Sequence, residues 1–248
     1  MTREELDPCG QTNESGGNET MNFKQAAGIQ AAEAVASGMK VGLGTGSTVY
    51  YTILELGRRM KEEGLRFTGV PTSDATEKLA LELGIPLAEL SELEPLDVTI
   101  DGADEVTPEL ALIKGGGAAH FREKMVAAVS KRLVIVADES KAVGKLGAFT
   151  VPVEIAAYGW RSTARRVEAA GCRAVRRERD GQPVVTDNGN YVLDCDFGLI
   201  EDPGALDREL KGLLGVLETG LFVGMADAAY IAGPEGVRVL RREAWERG

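Results

Sequence analysis

The sequence predicts an α/β fold: a Rossmann-like, mostly parallel sheet with helices on both faces, plus a smaller inserted α+β domain. Three observations predict it. Short apolar runs alternate with amphipathic stretches, the pattern of successive βαβ units. Five polar segments (GTGST, TSD, DGAD, KGGG and ADESK) each follow an apolar run, at the strand ends where open parallel sheets bind ligands. After Thr150 the texture changes to strands joined by turn signals.

Taken in order, FKQAAGIQAAEAVASGM is Ala-rich with apolar residues at helical spacing, predicting a helix that ends at Gly38. KVGLG reads as a short buried strand, and STVYYTILELGRRMKEEG as a helix. RFTGVPTS is a second strand, and DATEKLALELG a helix with Asp74 as N-cap and Glu77 completing a capping box. LDVTIDGADE is a strand ending in an acidic turn, LALIKGGG another strand, AAHFREKMVAAVSK a helix and RLVIVADESK a further strand. Beyond Thr150 come a strand, a helix and two strands joined at DNGN, where Asn-Gly signals a hairpin. The helix DPGALDRELKGLLG and the strand VLETGLFVG follow, and DAAYIAG and GVRVLRR return as strands to the main sheet. The expected division is a main α/β domain over 22–150 and 222–248 and a small α+β domain over 151–221.

Composition narrows the chemistry. The 248 residues are 44% hydrophobic and 27% charged, ordinary for a globular protein. No apolar run approaches the roughly 18 residues of a membrane helix, and the N-terminus lacks the order of a signal peptide. A cytoplasmic location is expected. Residues 1–21 are polar and aperiodic, predicting a disordered extension in which Met21 offers a second start. Cys9, Cys172 and Cys195 are too scattered for a disulfide framework or a zinc site, and His120 is the single histidine. With Cys-rich and His-rich sites excluded, the reactive groups expected are carboxylates, lysines and backbone amides. A net charge of −11 argues against nucleic acid as a partner.

Three segments carry candidate chemistry. GLGTGST, between a strand and a helix, aims backbone N–H groups and a positive helix end at one spot. It lacks the Gly-Lys-Ser/Thr of a P-loop, and Ser47 stands where a dinucleotide fingerprint has its third glycine. A phosphate cradle, a dinucleotide loop and a turn needed only for packing all remain open. DGADE sets Asp101 and Asp104 on one turn, suited to sugar hydroxyls or proton movement; a solvated turn or a Mg²⁺ ligand set are its alternatives. In KGGGAAHFREK, Gly115, Gly116 and Gly117 suggest close backbone approach to a ligand, with amides able to stabilise an oxyanion and Lys114 supplying charge. Glu123 lies six residues beyond Gly117, roughly 9 Å along a helix, and on spacing alone is one helix glutamate among several. Arg122 and Lys124 read as helix-surface charges, and His120 as structural. Lys141, at the end of ADESK, reaches the same edge or is a plain turn lysine.

In this order, GLGTGST, TSDATEKL, DVTIDGADEV, LIKGGGAAHFREKMV, VIVADESK, PVEI and VVTDNGNYVLD closely resemble the ribose-5-phosphate isomerase A family, over about Phe23 to Arg241. The resemblance implies an aldose–ketose isomerase of the pentose phosphate pathway that uses no metal and no cofactor, interconverting D-ribose 5-phosphate and D-ribulose 5-phosphate. It implies a homodimer or homotetramer whose partner is a small sugar phosphate. It puts the catalytic base on Glu123, with Asp101 and Lys114 catalytic beside it. Substrate contacts are implied for Thr45, Gly46, Ser47, Thr48, Asp101, Gly102, Ala103, Asp104, Lys114, Gly115, Gly116, Gly117 and Lys141, and less securely for Lys24. Relatives often show SSSD where this chain has TSD after Pro71.

Overall fold

In the computed structural model, residues 22–242 are described; the expected extension at 1–21 and the last six residues lie outside them. In chain order the elements run α1 (Phe23–Ala32), β1 (Lys40–Leu43), α2 (Ser47–Glu62), β2 (Thr68–Pro71), α3 (Asp74–Glu82), β3 (Val98–Gly102), β4 (Glu105–Val106) and β5 (Leu112–Ile113). Next come α4 (His120–Ala128), β6 (Leu133–Asp138), β7 (Val151–Ile155), α5 (Trp160–Ala169), β8 (Arg173–Arg176), β9 (Glu178–Arg179) and β10 (Gln182–Pro183). The chain continues through β11 (Tyr191–Asp196), α6 (Pro203–Lys211), β12 (Val216–Thr219), β13 (Leu221–Phe222), β14 (Ala228–Gly233) and β15 (Gly236–Arg241).

The large sheet has the order β15-β14-β6-β3-β1-β2. All its pairs are parallel except the closing β14–β15 hairpin. Alternation along its strands builds one core on each face. Val41, Leu43, Val98, Ile100, Val134 and Val136 meet Ala27 and Ala31 of α1 and Val49, Ile53 and Leu56 of α2. On the other face lies α4; a side chain on Gly42 would collide with Val126 of that helix and with Thr99. Helices on both faces and the return of DAAYIAG and GVRVLRR to this sheet match expectation.

A second, antiparallel sheet of order β12-β7-β11-β8 carries α5 and α6 around Val153, Ile155, Val167, Leu193 and Leu210. The DNGN segment makes the expected tight turn, with Thr186 N–H donating to Asn190 O at 2.9 Å and Gly189 at φ 78. Only a single Val185–Tyr191 bridge crosses it, however: β10 pairs with β9, and β11 pairs with β7 and β8.

Five further local expectations need correction. LALIKGGG does not join the parallel sheet. Its β5 pairs antiparallel with β4 and β13, because the link from β3 is too short for the crossover of a dozen or more residues that a parallel neighbour requires. The first helix stops at Ala32 rather than Gly38, since the N–H groups of Ala34 and Val35 turn back to Ala31 O and Ala32 O. Ser73, not Asp74, caps α3, its side chain accepting from Thr76 N–H, so Asp74 falls in the first turn. RLVIVADESK is strand only to Asp138, whose side chain accepts from Ser140 N–H and starts a short 3-10 turn over Glu139–Lys141. VLETGLFVG is split at Gly220, which gives β12 to the second sheet and β13 to the pairing with β5.

Candidate active site

The site forms where β1, β3 and α4 meet. Gly44, just after β1, packs against the Asp101 side chain, and any Cβ there would strike that carboxylate. Gly46, at φ 123, reverses the chain so that Ser47 and Thr48 open α2. Two amides hold Asp101 Oδ1: Thr45 N–H at 3.1 Å and Gly102 N–H at 2.7 Å. The Thr45 hydroxyl in turn meets those of Thr72 and Ser73, each at 2.8 Å. The departure TSD therefore supports the glycine loop from the β2 side. Lys24 of α1 reaches the start of α2, its Nζ donating to Ser47 Oγ at 3.0 Å.

Lys114 is the hub. Its Nζ lies 3.0 Å from Asp101 Oδ2 and 2.9 Å from Glu123 Oε2 and donates to Gly102 O at 2.7 Å. All three side chains are buried: Asp101 0%, Lys114 2% and Glu123 3% exposed. Two carboxylates and one ammonium out of water leave one negative charge in excess, and the titration behaviour follows. Burial pushes the Glu123 carboxyl up to about 8; the Asp101 charge adds to the effect and Lys114 opposes it. Burial also raises Asp101, against the pull of Lys114 and of the amides of Gly102 and Thr45. For Lys114, burial works against the charge, yet the two carboxylates outweigh it and hold the ammonium above its ordinary value.

The glycine run closes the site from the other side. Gly116 N–H donates to Asp104 Oδ2 at 2.7 Å. Gly115 takes φ 108, and a Cβ there would lie 2.7 Å from His120 Nδ1. A cleft of about 180 Å³ adjoins the cluster, lined by Thr45, Ser73, Gly116, Gly117, Arg177 and Thr186 among others. Among the described residues there is no group of three or more His, Cys, Asp or Glu side chains disposed to hold a metal ion.

The ribose 5-phosphate isomerase A (phosphoriboisomerase A) family pattern matches residues 68–236. The chain belongs to this family. It is 54% identical over 223 residues to ribose-5-phosphate isomerase A of Synechococcus sp. (strain JA-3-3Ab), covering 89% of this chain and 97% of the relative. It is also similar to the solved ribose 5-phosphate isomerase A of Methanocaldococcus jannaschii, at 40% identity and TM-score 0.85, covering 89% of this chain and 99% of that one. A solved D-ribose-5-phosphate isomerase in complex with phospho-erythronic acid matches at 37% identity and TM-score 0.86, covering 89% and 98%.

Of the residues expected in an isomerase A site, Asp101, Lys114 and Glu123 form one contact cluster, with Thr45 and Gly102 bonded to Asp101. Asp104 joins through Gly116, and Ser47 pairs with Lys24. Lys141 follows β6 at the same sheet edge, with no hydrogen bond to the cluster among the described residues. Lys124 is not a surface charge. It is 7% exposed, and its Nζ donates at 2.8 Å to each of Glu218 Oε1, Thr219 O and Leu221 O. The 3.6-residue period turns Lys124 away from Arg122 and onto β12 and β13. Arg122, half-buried, pairs with Asp74 at 2.7 Å. His120 is fully buried, and burial, with Lys124 and Arg177 nearby, takes its imidazole down to about 3. Sequence reading missed Arg177, which bonds to the glycine run from the second sheet. A lone arginine in RAVRRERD carries no local signal of that contact.

Proposed function

We propose that the Asp101–Lys114–Glu123 cluster carries out the aldose–ketose isomerisation of this family, with Glu123 as the base. The observation that carries the assignment is Glu123 itself: a carboxyl buried beside a lysine, with its pKa up to about 8. A general base works best with a pKa near the working pH. The activity is the interconversion of D-ribose 5-phosphate and D-ribulose 5-phosphate. A phosphate suits the N-terminus of α2, where Ser47, Thr48 and the Lys24 ammonium gather.

Ring opening needs a group that takes the anomeric hydroxyl proton and returns one to the ring oxygen. Asp104, more exposed than Asp101, suits that role. Asp101, its Oδ1 filled by two amides, instead holds Lys114 and the Thr45 loop. On the open-chain aldose, Glu123 removes the C2 proton, and the electron pair moves to O1 through the forming C1–C2 double bond. Lys114 faces the resulting ene-diolate oxygen with the amides of the glycine run. Its raised pKa fits a fixed positive charge rather than a proton donor. The hydroxyl proton passes from O2 to O1, and Glu123 returns its proton to C1. A general base contributes roughly 10²–10⁴-fold and an oxyanion donor about 10²–10³-fold, so each leaves a large remainder for the other.

We further propose that residues 151–221 form a unit bracing the glycine run, and that the protein acts in the cytoplasm as a homodimer or homotetramer. The test of the base is Glu123→Gln. We expect turnover of ribose 5-phosphate to fall at least roughly 10²-fold while the substrate still binds by calorimetry. Near-normal turnover would overturn the assignment.

A further inference from the structure

We propose that Arg177, which follows β8 in the second sheet, is a positioning residue for the ene-diolate oxygen site. Its guanidinium Nη1 donates to two consecutive carbonyls of the glycine run, Gly115 O at 2.7 Å and Gly116 O at 3.0 Å. The rest of the fork is clamped by Asp194 of β11: Nε to Oδ2 at 3.0 Å and Nη2 to Oδ1 at 2.5 Å. Register makes the clamp. Asp194 pairs with Val175 across β8–β11, and Arg177 N–H donates to Val192 O at 2.8 Å. Arginine can do this because its planar fork serves a carboxylate on one edge and carbonyls on the other, which a lysine ammonium cannot.

Those two carbonyls belong to the peptide groups whose N–H donors are Gly116 and Gly117. A cation on the oxygen end polarises the amide and strengthens its N–H as a donor, since hydrogen bonds in series reinforce one another. Gly116 N–H is engaged with Asp104. Gly117, exposed and lining the same cleft as Thr45 and Arg177, gives its N–H to no acceptor among the described residues. Its amide is the donor free to meet substrate oxygen. Arg177 thus sets both the direction and the strength of that donor, acting through the backbone without touching the reacting atoms. The inference rests on reading Gly115–Gly117 as the oxygen site.

The test compares Arg177→Met and Arg177→Lys with the wild type. A donor strengthened for charge that develops only in the transition state affects kcat and leaves KM alone. We expect kcat of Arg177→Met to fall roughly ten- to a hundredfold, less than the 10²–10³ for deleting an oxyanion donor itself. KM for ribose 5-phosphate should stay within about twofold, and Arg177→Lys should recover only part of kcat. Affinity for phospho-erythronic acid, whose carboxylate mimics the charged oxygen, should fall with kcat, while affinity for inorganic phosphate stays. An unchanged kcat, or an equal loss of inorganic phosphate binding, overturns the proposal. Should Arg177→Met fail to fold, Asp194→Ala loosens the guanidinium instead. It should give a smaller fall in kcat at constant KM, and a rise in KM alone overturns the proposal. Loss of turnover in Glu123→Gln is independent of these outcomes, so failure here removes Arg177 and leaves the isomerase reading intact.

Discussion

At the scale of single residues, the proposed role of Glu123 rests on what surrounds it. Burial and the Asp101 charge both disfavour its ionised form, so activity should rise with pH as Glu123 loses its proton. We expect the acidic limb of kcat/KM to bend near the value of about 8 to which Glu123 is raised, and Asp101→Asn to move the bend lower. A limb at the ordinary carboxylate value of about 4.3 would contradict this. His120 supplies a stability counterpart. Its folded pKa of about 3 lies below the unfolded value of about 6.5, so the unfolded chain binds the extra proton and stability falls as pH drops through that window. The Tm of His120→Asn should therefore drop less than that of the wild type between neutral and acidic pH. Glu123 illustrates what a sequence reveals at this scale. Spacing leaves it one glutamate among several; the family resemblance points to it, and burial against Lys114, a property of the fold, gives the physical reason.

At the scale of elements, the parallel core is legible because short apolar runs and amphipathic helices alternate, and the loops after β1, β2 and β3 do converge. What is not legible is where short runs pair. Leu112–Ile113 has the apolar character of a sheet strand, yet loop length sends it to β4 and β13. The helix starts show the same limit, since Ser73 and Asp74 are both good caps by residue type and the Thr45–Thr72–Ser73 hydroxyl contacts favour Ser73. Ser73→Ala should cost about 0.5–2 kcal/mol in stability, measurable by urea unfolding. Gly44→Ala is a sharper probe, because a Cβ there meets the Asp101 carboxylate. Even a displacement of about 1 Å can cost 10²-fold. We expect at least that loss in kcat/KM, with far-UV circular dichroism retained.

At the scale of the whole molecule, the Asp101–Lys114–Glu123 cluster stands on the large sheet but has contacts reaching it from the second one. Lys124 joins α4 to β12 and β13 through Glu218 and two carbonyls, and Arg177 and Asp194 hold the glycine run. Neither contact has a sequence signature, since each links positions dozens of residues apart. Replacing Lys124 with Met leaves the buried Thr219 and Leu221 carbonyls without that donor, while Glu218 keeps Lys211 and Thr219 N–H; each stranded carbonyl costs about 1–3 kcal/mol. At about 2–4 °C per kcal/mol for a chain this size, Tm should fall by about 10 °C. Because α4 carries Glu123, kcat should fall too, below the denaturation range. The account as a whole turns on Glu123 as the proton carrier. Isotope exchange tests it most directly, by following loss of deuterium from C2-labelled ribose 5-phosphate by NMR with wild type and Glu123→Gln at equal site occupancy. We expect wash-out with the wild type and none above background with the variant. Wash-out at the wild-type rate in Glu123→Gln would show that another group takes the proton.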